Sequence, residues 1–359
     1  MNHKRIHSIA GLKAVSIWLI FWWHSWLTNP PCDLGARCCE FFFAASGFLV
    51  WISHKSKEKP CTWKASAAYV KTKLISIWPI HFLAFCLCLC IMPPAEILTL
   101  STLLRGLINL LLFQSWIDIE QIFFSFNGPS WFLSSLLFCY FVTPVLLRFI
   151  RRRRKIWLIF PVVFLIRYAI EEIQFRYPNM YSDFNIHVSP VLRMMEFFLG
   201  MMAGSVWDYL REKYALYKNR FNQAFPFIGF SLLEVGLLFL TAYLFVVRQN
   251  GWGRAIFALW FCFIILVFAF DEGIISQIMA LKPFTWFSSI QFEFYIFHIP
   301  IINLVAKYIE PHGFSGRALA AIAFVSTVVL SKLYRMVIKK PSEKLVRKSI
   351  DRIWAWLIS

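Results

Sequence analysis

The chain has 359 residues, of which 59% are hydrophobic and 16% charged, and its formal net charge is +18. Soluble domains carry roughly 25% charged residues, so this composition excludes an ordinary soluble domain. A membrane-spanning helix needs roughly 20 mostly apolar residues, and the apolar residues here suffice for about ten such helices. The basic residues lie in short clusters between apolar runs, which is typical of loops facing anionic lipid and argues against nucleic-acid binding.

The apolar residues fall into eleven runs along the chain. The first run follows Lys4 and Arg5 and resembles a signal peptide, but it carries four tryptophans and lacks a small-x-small cleavage site. We therefore expect it to be retained as the first helix. The runs are 9–28, 38–53, 74–92, 98–113, 130–150, 157–170, 189–207, 225–247, 252–270, 286–306 and 317–337.

Basic clusters decide between ten spans and eleven. The N-terminal pair, the segment 54–73 and the RRRRK run at 151–155 are all expected in the cytosol. If both 74–92 and 98–113 crossed the membrane, RRRRK would lie outside. The run 98–113, which contains Arg105, is therefore predicted to be a re-entrant or surface-lying helix. The sequence thus predicts an all-α, polytopic membrane protein with ten spans, one domain over 1–359 and both termini cytosolic.

The nine cysteines do not form a metal-binding or disulfide framework in the sequence. Most lie in apolar runs, where a thiol acts as a small hydrophobic group. Cys32 shares a short loop with Cys38 and Cys39, and a disulfide with either one is left open for a loop in an oxidising compartment. No metal-ligand spacing is present, so no metal site is predicted.

Polar residues inside apolar runs are expensive in a membrane, so they are the candidates for function. Lys13 and His24 are eleven positions apart, which places them on nearly the same helix face about 16 Å apart. The alternative for this pair is a lysine that reaches the interface and a buried, hydrogen-bonded histidine. Glu40 begins the next span and is expected to reach and orient His24, or else to be an exposed acid at a helix start.

Four further segments carry polar groups in or beside spans. Lysines at a cytosolic helix entry suit phosphate groups or lipid headgroups. The serines after NGPSW lack a G-x-S-x-G elbow. An arginine and a glutamate at i, i+3 can neutralise each other. The mid-span Tyr and His are either a structural hydrogen-bonded network or a functional one. The residues concerned are Lys71, Lys73, Trp131, Ser134, Arg193, Glu196, Tyr295 and His298.

Taken in order, these segments resemble the membrane-bound acyltransferase-3 family, the bacterial surface-polysaccharide O-acyltransferases. The resemblance runs over essentially the whole chain. It rests on a basic residue and a histidine with ten residues between them, an acid followed by FF and SGF, WFLSS with FVTP, an Arg-x-x-Glu-Phe-x-x-Gly segment and a Tyr-x-x-His-x-Pro segment. These begin at Lys13, Glu40, Trp131, Arg193 and Tyr295.

The chain also departs from the family pattern. Where the family often has Arg-x-x-Arg in the third helix, this chain has Lys73 and Ser76, and the family's Glu-Lys-Pro appears as Lys339-Lys340-Pro341. We expect no appended hydrolase-like domain, as in the stand-alone acetylases that the chain resembles.

The resemblance implies an acyltransferase of the bacterial inner membrane that uses acetyl-CoA, or another short acyl-CoA, as co-substrate and binds no permanent cofactor. The acceptor would be a hydroxyl of an extracytoplasmic or lipid-linked glycan. His24 would be the general base and Glu40 would orient it. Lys13, Lys71, Lys73 and Ser76 would bind the donor. The supporting polar residues would be Trp131, Ser134, Arg193, Glu196, Tyr295 and His298.

Several alternatives remain open at this level. A transporter or flippase of a lipid-linked glycan or acyl donor also has about ten spans and intramembrane charges, and a non-catalytic partner in polysaccharide assembly is a third reading. Direct transfer is favoured over an acyl-enzyme at Ser134, Ser135 or His298. The acceptor, the acyl group (acetyl or succinyl, for example) and the oligomeric state are not identified, since lipid-facing and partner-facing surfaces look alike.

Overall fold

A computed structural model describes residues 6–27, 34–54, 62–152, 158–177, 187–218, 224–247 and 252–358. Within these ranges the secondary structure is helical and contains no strand. Cys32 lies outside the described residues, and so does the disulfide with Cys38 or Cys39 that the sequence left open. The α-helices are α1 (His7–His24), α2 (Leu34–His54), α3 (Trp63–Ile91), α4 (Pro94–Ile97), α5 (Leu100–Leu110), α6 (Glu120–Phe123), α7 (Trp131–Arg152), α8 (Ile159–Arg176), α9 (Pro190–Lys218), α10 (Ala224–Val247), α11 (Trp252–Phe268), α12 (Ile274–Met279), α13 (Lys282–Tyr308), α14 (Gly316–Leu333) and α15 (Lys339–Ile358).

The all-α, polytopic membrane architecture is confirmed. A helix covers most of each of the ten predicted spans, and six helical segments of the described chain are long and apolar enough to cross a membrane. The count of ten spans stays a prediction. Two helices extend well beyond their apolar runs. Helix α3 begins eleven residues before position 74, and α9 continues eleven residues beyond position 207.

The segment predicted to be re-entrant or surface-lying forms the short helix α5. Its 11 residues rise about 16 Å, about half of the roughly 30 Å hydrocarbon layer. Its polar or small residues Thr102, Gly106 and Asn109 are buried, whereas Leu104 and Leu107 are more than half exposed. An outward apolar face is favourable where lipid replaces water, so this arrangement agrees with the predicted type of helix.

Helices α2 and α9 pack against each other at the centre of the molecule. A Cβ atom on Gly47 would lie 1.8 Å from the carbonyl oxygen of Phe197, and one on Gly200 would lie 1.9 Å from the carbonyl oxygen of Ala44. Each glycine therefore allows the backbone of the opposite helix to approach, as small residues do in membrane bundles. This close contact holds the second predicted motif next to the fourth.

The last helices return to the elements that carry the candidate site. A π-helical turn at Tyr334–Ile338 joins α14 to α15. Lys339 then donates to Glu293 of α13 over 2.9 Å, and Asp351 of α15 pairs with Lys71 of α3 at 2.6 Å. α15 is thereby tied to both α3 and α13.

Candidate functional site

His24 is the last residue of α1, and its side chain is exposed. Its Nδ1 atom lies 2.9 Å from the carbonyl oxygen of Ile20, one turn earlier in the same helix. Because a carbonyl oxygen only accepts hydrogen bonds, Nδ1 carries the proton of the neutral ring and Nε2 keeps its lone pair. Nε2 is therefore the atom that can take a proton from a substrate hydroxyl.

His24 lines a cavity of about 470 Å³, which we call the histidine cavity. The cavity also contains the predicted supporting residue Trp131, whose ring lies 4.4 Å from that of His187. Sequence reasoning missed His187 because it lies between the runs 157–170 and 189–207, in a segment that carries none of the motifs. The other lining residues are Ile20, Trp23, Gly35, Ala36, Cys39, Phe124, Gly128, Pro129, Tyr295 and Ile299.

A second cavity of about 510 Å³, the lysine cavity, brings together three of the four residues predicted to bind the donor. These are Lys13, Lys73 and Ser76, contributed by α1 and α3. Two cations at one cavity favour an anionic ligand such as a phosphate. The remaining lining residues are Ile17, Phe42, Ser46, Thr72, Ile77, Phe132, Leu136, Tyr140, Gln291, Phe292 and Tyr295.

Lys71 differs from the other predicted donor residues. It does not line the lysine cavity, and its ammonium pairs with Asp351 at 2.6 Å. Two residues of helix correspond to a rotation of about 200°, so Lys71 and Lys73 project from nearly opposite faces of α3. The structure therefore gives Lys71 a contact with α15 in place of the predicted position in the donor site.

Tyr295 lines both cavities. It belongs to α13, and its hydroxyl donates to the carbonyl oxygen of Pro129 over 3.2 Å. Its ring packs edge-on against Phe132, with 5.4 Å between the ring centroids. This buried side chain therefore forms part of the wall between the space beside His24 and the space beside Lys13 and Lys73.

His298 faces His24 from the next turn of α13. The two ring centroids are 5.2 Å apart, and Nδ1 of His298 lies 2.6 Å from the carbonyl oxygen of Tyr295. The same argument as for His24 places the proton on Nδ1. Nε2 of His298 is buried and has no hydrogen-bond partner. The predicted mid-span pair thus contributes to the surroundings of His24.

The predicted contact between Glu40 and His24 is not found among the described residues. Arg37, three positions earlier in α2, donates to Glu40 over 2.7 Å. Cys39, not Glu40, reaches the histidine cavity, since adjacent helical residues point about 100° apart. The carbonyl of Ile20 orients the imidazole instead, and an effect of Glu40 on His24 would have to act over a longer distance.

A buried cluster of charges lies between α8 and α9. Arg193 pairs with Glu196 at 2.9 Å, as the i, i+3 spacing predicts, and Arg167 pairs with Glu171 at 2.5 Å and with Glu196 at 3.3 Å. These side chains are almost completely buried, so pairing with opposite charges has to offset the hydration that each ion loses. Sequence reasoning missed Arg167 and Glu171, although an arginine inside a predicted span was an available signal.

The serines nominated as acyl acceptors are hydrogen-bonded inside the protein. Ser134 accepts from the backbone N–H of Ser115 over 3.4 Å, and Ser135 donates to the carbonyl of Val188 over 2.7 Å. Neither lines the histidine cavity or the lysine cavity. Their positions therefore give no support to a serine-bound intermediate.

Comparisons with known proteins indicate the family of the chain. The acyltransferase-3 family model, described as an acyltransferase domain, matches residues 6–336. Acyltransferase MdmB of Streptomyces mycarofaciens is 30% identical over 129 residues, which are 34% of this chain and 32% of MdmB. The chain thus matches about a third of that relative's length. No solved structure matches the chain.

Proposed function

The chain belongs to the acyltransferase-3 family of membrane acyltransferases, and from this we propose its reaction. It transfers an acyl group, most simply acetyl, from cytosolic acyl-CoA to a hydroxyl of an extracytoplasmic or lipid-linked glycan. The protein lies in a bacterial cytoplasmic membrane with both termini in the cytosol, as the basic clusters favour.

One observation carries the proposal: two cavities with different chemistry share the side chain of Tyr295. A donor whose phosphates are bound on one side of a membrane can acylate a hydroxyl on the other side only if an extended arm carries the thioester between them. Lys13 and His24 are about 16 Å apart along α1. The pantetheine arm of CoA is roughly 20 Å long, which is similar to this distance between Lys13 and His24 along the helix.

The proposed step is a direct transfer. Nε2 of His24 takes the proton of the acceptor hydroxyl as its oxygen attacks the thioester carbonyl. The carbon–sulfur bond then breaks, and the CoA thiolate leaves and takes up the proton from the imidazolium. The lysine cavity holds the anionic end of the donor through Lys13 and Lys73. No group of the protein is acylated in this scheme.

The test uses membranes that carry the protein, radiolabelled acetyl-CoA and the native polysaccharide precursor. We expect base-labile label in the glycan with the parent protein and its loss with His24→Ala, at equal protein level. His312→Ala is a matched control because His312 is exposed in a turn after α13. Transfer retained by His24→Ala would exclude His24 as the base. Movement of a glycan or donor without covalent product would exclude the transfer and favour a transporter.

A further inference from the structure

Gln291 is a polar residue of the lysine cavity that no motif accounts for. It lies on α13, and its Oε1 atom is buried without a hydrogen-bond partner. A buried amide oxygen without a partner is unfavourable, and native proteins contain few of them. Among the described residues, Asn109, Gln114 and Asn127 also carry such oxygens, but only Gln291 lines one of the two cavities, where a rotation of its amide group lets a ligand complete the hydrogen bonding.

The position of Gln291 relative to Tyr295 is set by the helix that carries both residues. Four residues correspond to about one turn and a rise of about 6 Å, so the two side chains share one face of α13. Tyr295 stands at the wall beside the histidine cavity, whereas Gln291 lines the lysine cavity only. The amide of Gln291 therefore lies about one turn before Tyr295 in α13, on the side of that wall away from the histidine cavity.

The chemistry of an acyl-CoA places a matching group at this distance. In the pantetheine arm, two methylene carbons separate the sulfur from the first amide, which at about 1.5 Å per bond puts that amide about 4 Å away. With the thioester at Tyr295, this amide lies close to the level of Gln291. A glutamine side chain offers one acceptor and one donor group, which complement the N–H and C=O of a secondary amide.

We propose that Gln291 determines donor specificity by hydrogen bonding to the pantetheine amide nearest the thioester. This inference rests on the proposed function and assigns to the cavity a substrate class, thioesters of N-acylated cysteamine. Gln291 is a positioning residue and takes no part in proton transfer. It distinguishes such thioesters from simple alkyl thioesters, which have no amide at that position.

The experiment compares two small donors in the purified, full-length protein. S-acetyl-N-acetylcysteamine contains the amide and S-ethyl thioacetate lacks it. A site built around a hydrogen bond discriminates against a ligand without the group, so we expect the parent to favour the amide donor by about tenfold in kcat/KM, the effect of one hydrogen bond. In Gln291→Leu, kcat/KM for the amide donor should fall by this factor, whereas kcat/KM for the amide-free donor should be unchanged.

Two further variants control this comparison. Gln277→Leu removes an exposed glutamine of α12 and should behave as the parent. Gln291→Glu keeps the acceptor oxygen and should retain part of the preference, which provides a second variant if the leucine form does not accumulate.

Three outcomes are decisive. Equal losses with both donors would mean that Gln291 only supports the fold, and no loss with either would mean that it does not contact the donor. Either result overturns this inference and leaves the proposed function standing. Absence of transfer by the parent protein from acetyl-CoA and from succinyl-CoA alike would overturn the proposed function itself.

Discussion

At the scale of single residues, the candidate site shows what helix periodicity predicts and what it leaves out. The eleven-residue interval between Lys13 and His24 predicted a common face, and each residue lines a cavity that Tyr295 of α13 helps to enclose. The spacing of residues within α1 could not show that α13, far away in the sequence, packs beside them. Glu40 shows the opposite case, because Arg37 at i−3 was visible in the sequence and competes for its carboxylate.

The lysine cavity gives a prediction at this scale. We expect Lys73→Gln to raise the KM for acyl-CoA about tenfold with little change in kcat, because a charge-assisted hydrogen bond to phosphate contributes about 1.5 kcal/mol or more. Steady-state kinetics with acetyl-CoA measure this. Lys64→Gln, an exposed residue in the first turn of α3, should leave KM unchanged. An unaltered KM in Lys73→Gln would contradict the assignment of this cavity to the donor.

At the scale of elements, apolar runs and charge clusters were sufficient to predict the helices, whereas the re-entrant or surface-lying role of 98–113 stays a prediction. They could not predict which helices touch, since apolar faces toward lipid and toward protein have the same composition. The contact of α2 with α9 depends on two glycines whose hydrogen atoms leave room for a backbone carbonyl. The glycines were visible in the sequence, but their partners were not.

The contact between α2 and α9 predicts that glycine-to-alanine substitutions lower the stability of the protein within the contact and not outside it. Gly47→Ala and Gly200→Ala should each destabilise the protein by about 3 kcal/mol or more, since a helix backbone cannot move aside as a side chain can. Gly236→Ala in α10, where no atom lies within 4 Å of the added Cβ, should be neutral or stabilise by up to about 1 kcal/mol. Thermal unfolding in detergent compares the three. Equal stability of Gly47→Ala and the parent would show that the helices are further apart than described.

At the scale of the whole molecule, the last helix, α15, contacts two helices that carry the candidate site. α15 pairs with α3 through Asp351 and with α13 through Lys339, and both helices line the lysine cavity. If the lysine cavity opens to the cytosol, α15 must lie on the same side of the membrane, as must the basic loop that precedes α3. The donor site and the C-terminal helix therefore share one predicted orientation.

Single cysteines in a cysteine-free background test this orientation. A cysteine at Glu310, exposed after α13, should react with a membrane-impermeant maleimide in intact cells, because the last predicted span, 317–337, leads to a cytosolic terminus and the segment before it must then lie outside. A cysteine at Lys213, exposed near the end of α9, should react only after permeabilisation. The cysteine-free parent supplies the background. Labelling at position 213 in intact cells would reverse the predicted topology.

The shared position of Tyr295 has a consequence for the membrane as an electrical barrier. If the two cavities open to opposite faces of the membrane, as the proposed reaction requires, the ring of Tyr295 is part of the barrier between two water-filled spaces. A smaller residue there, as in Tyr295→Ala, should connect the two cavities and let protons pass. Cells that make this variant should lose membrane potential, whereas cells that make Tyr295→Phe, which keeps the ring, should retain it. An enzyme with this arrangement has to keep the membrane closed to ions while it transfers the acyl group.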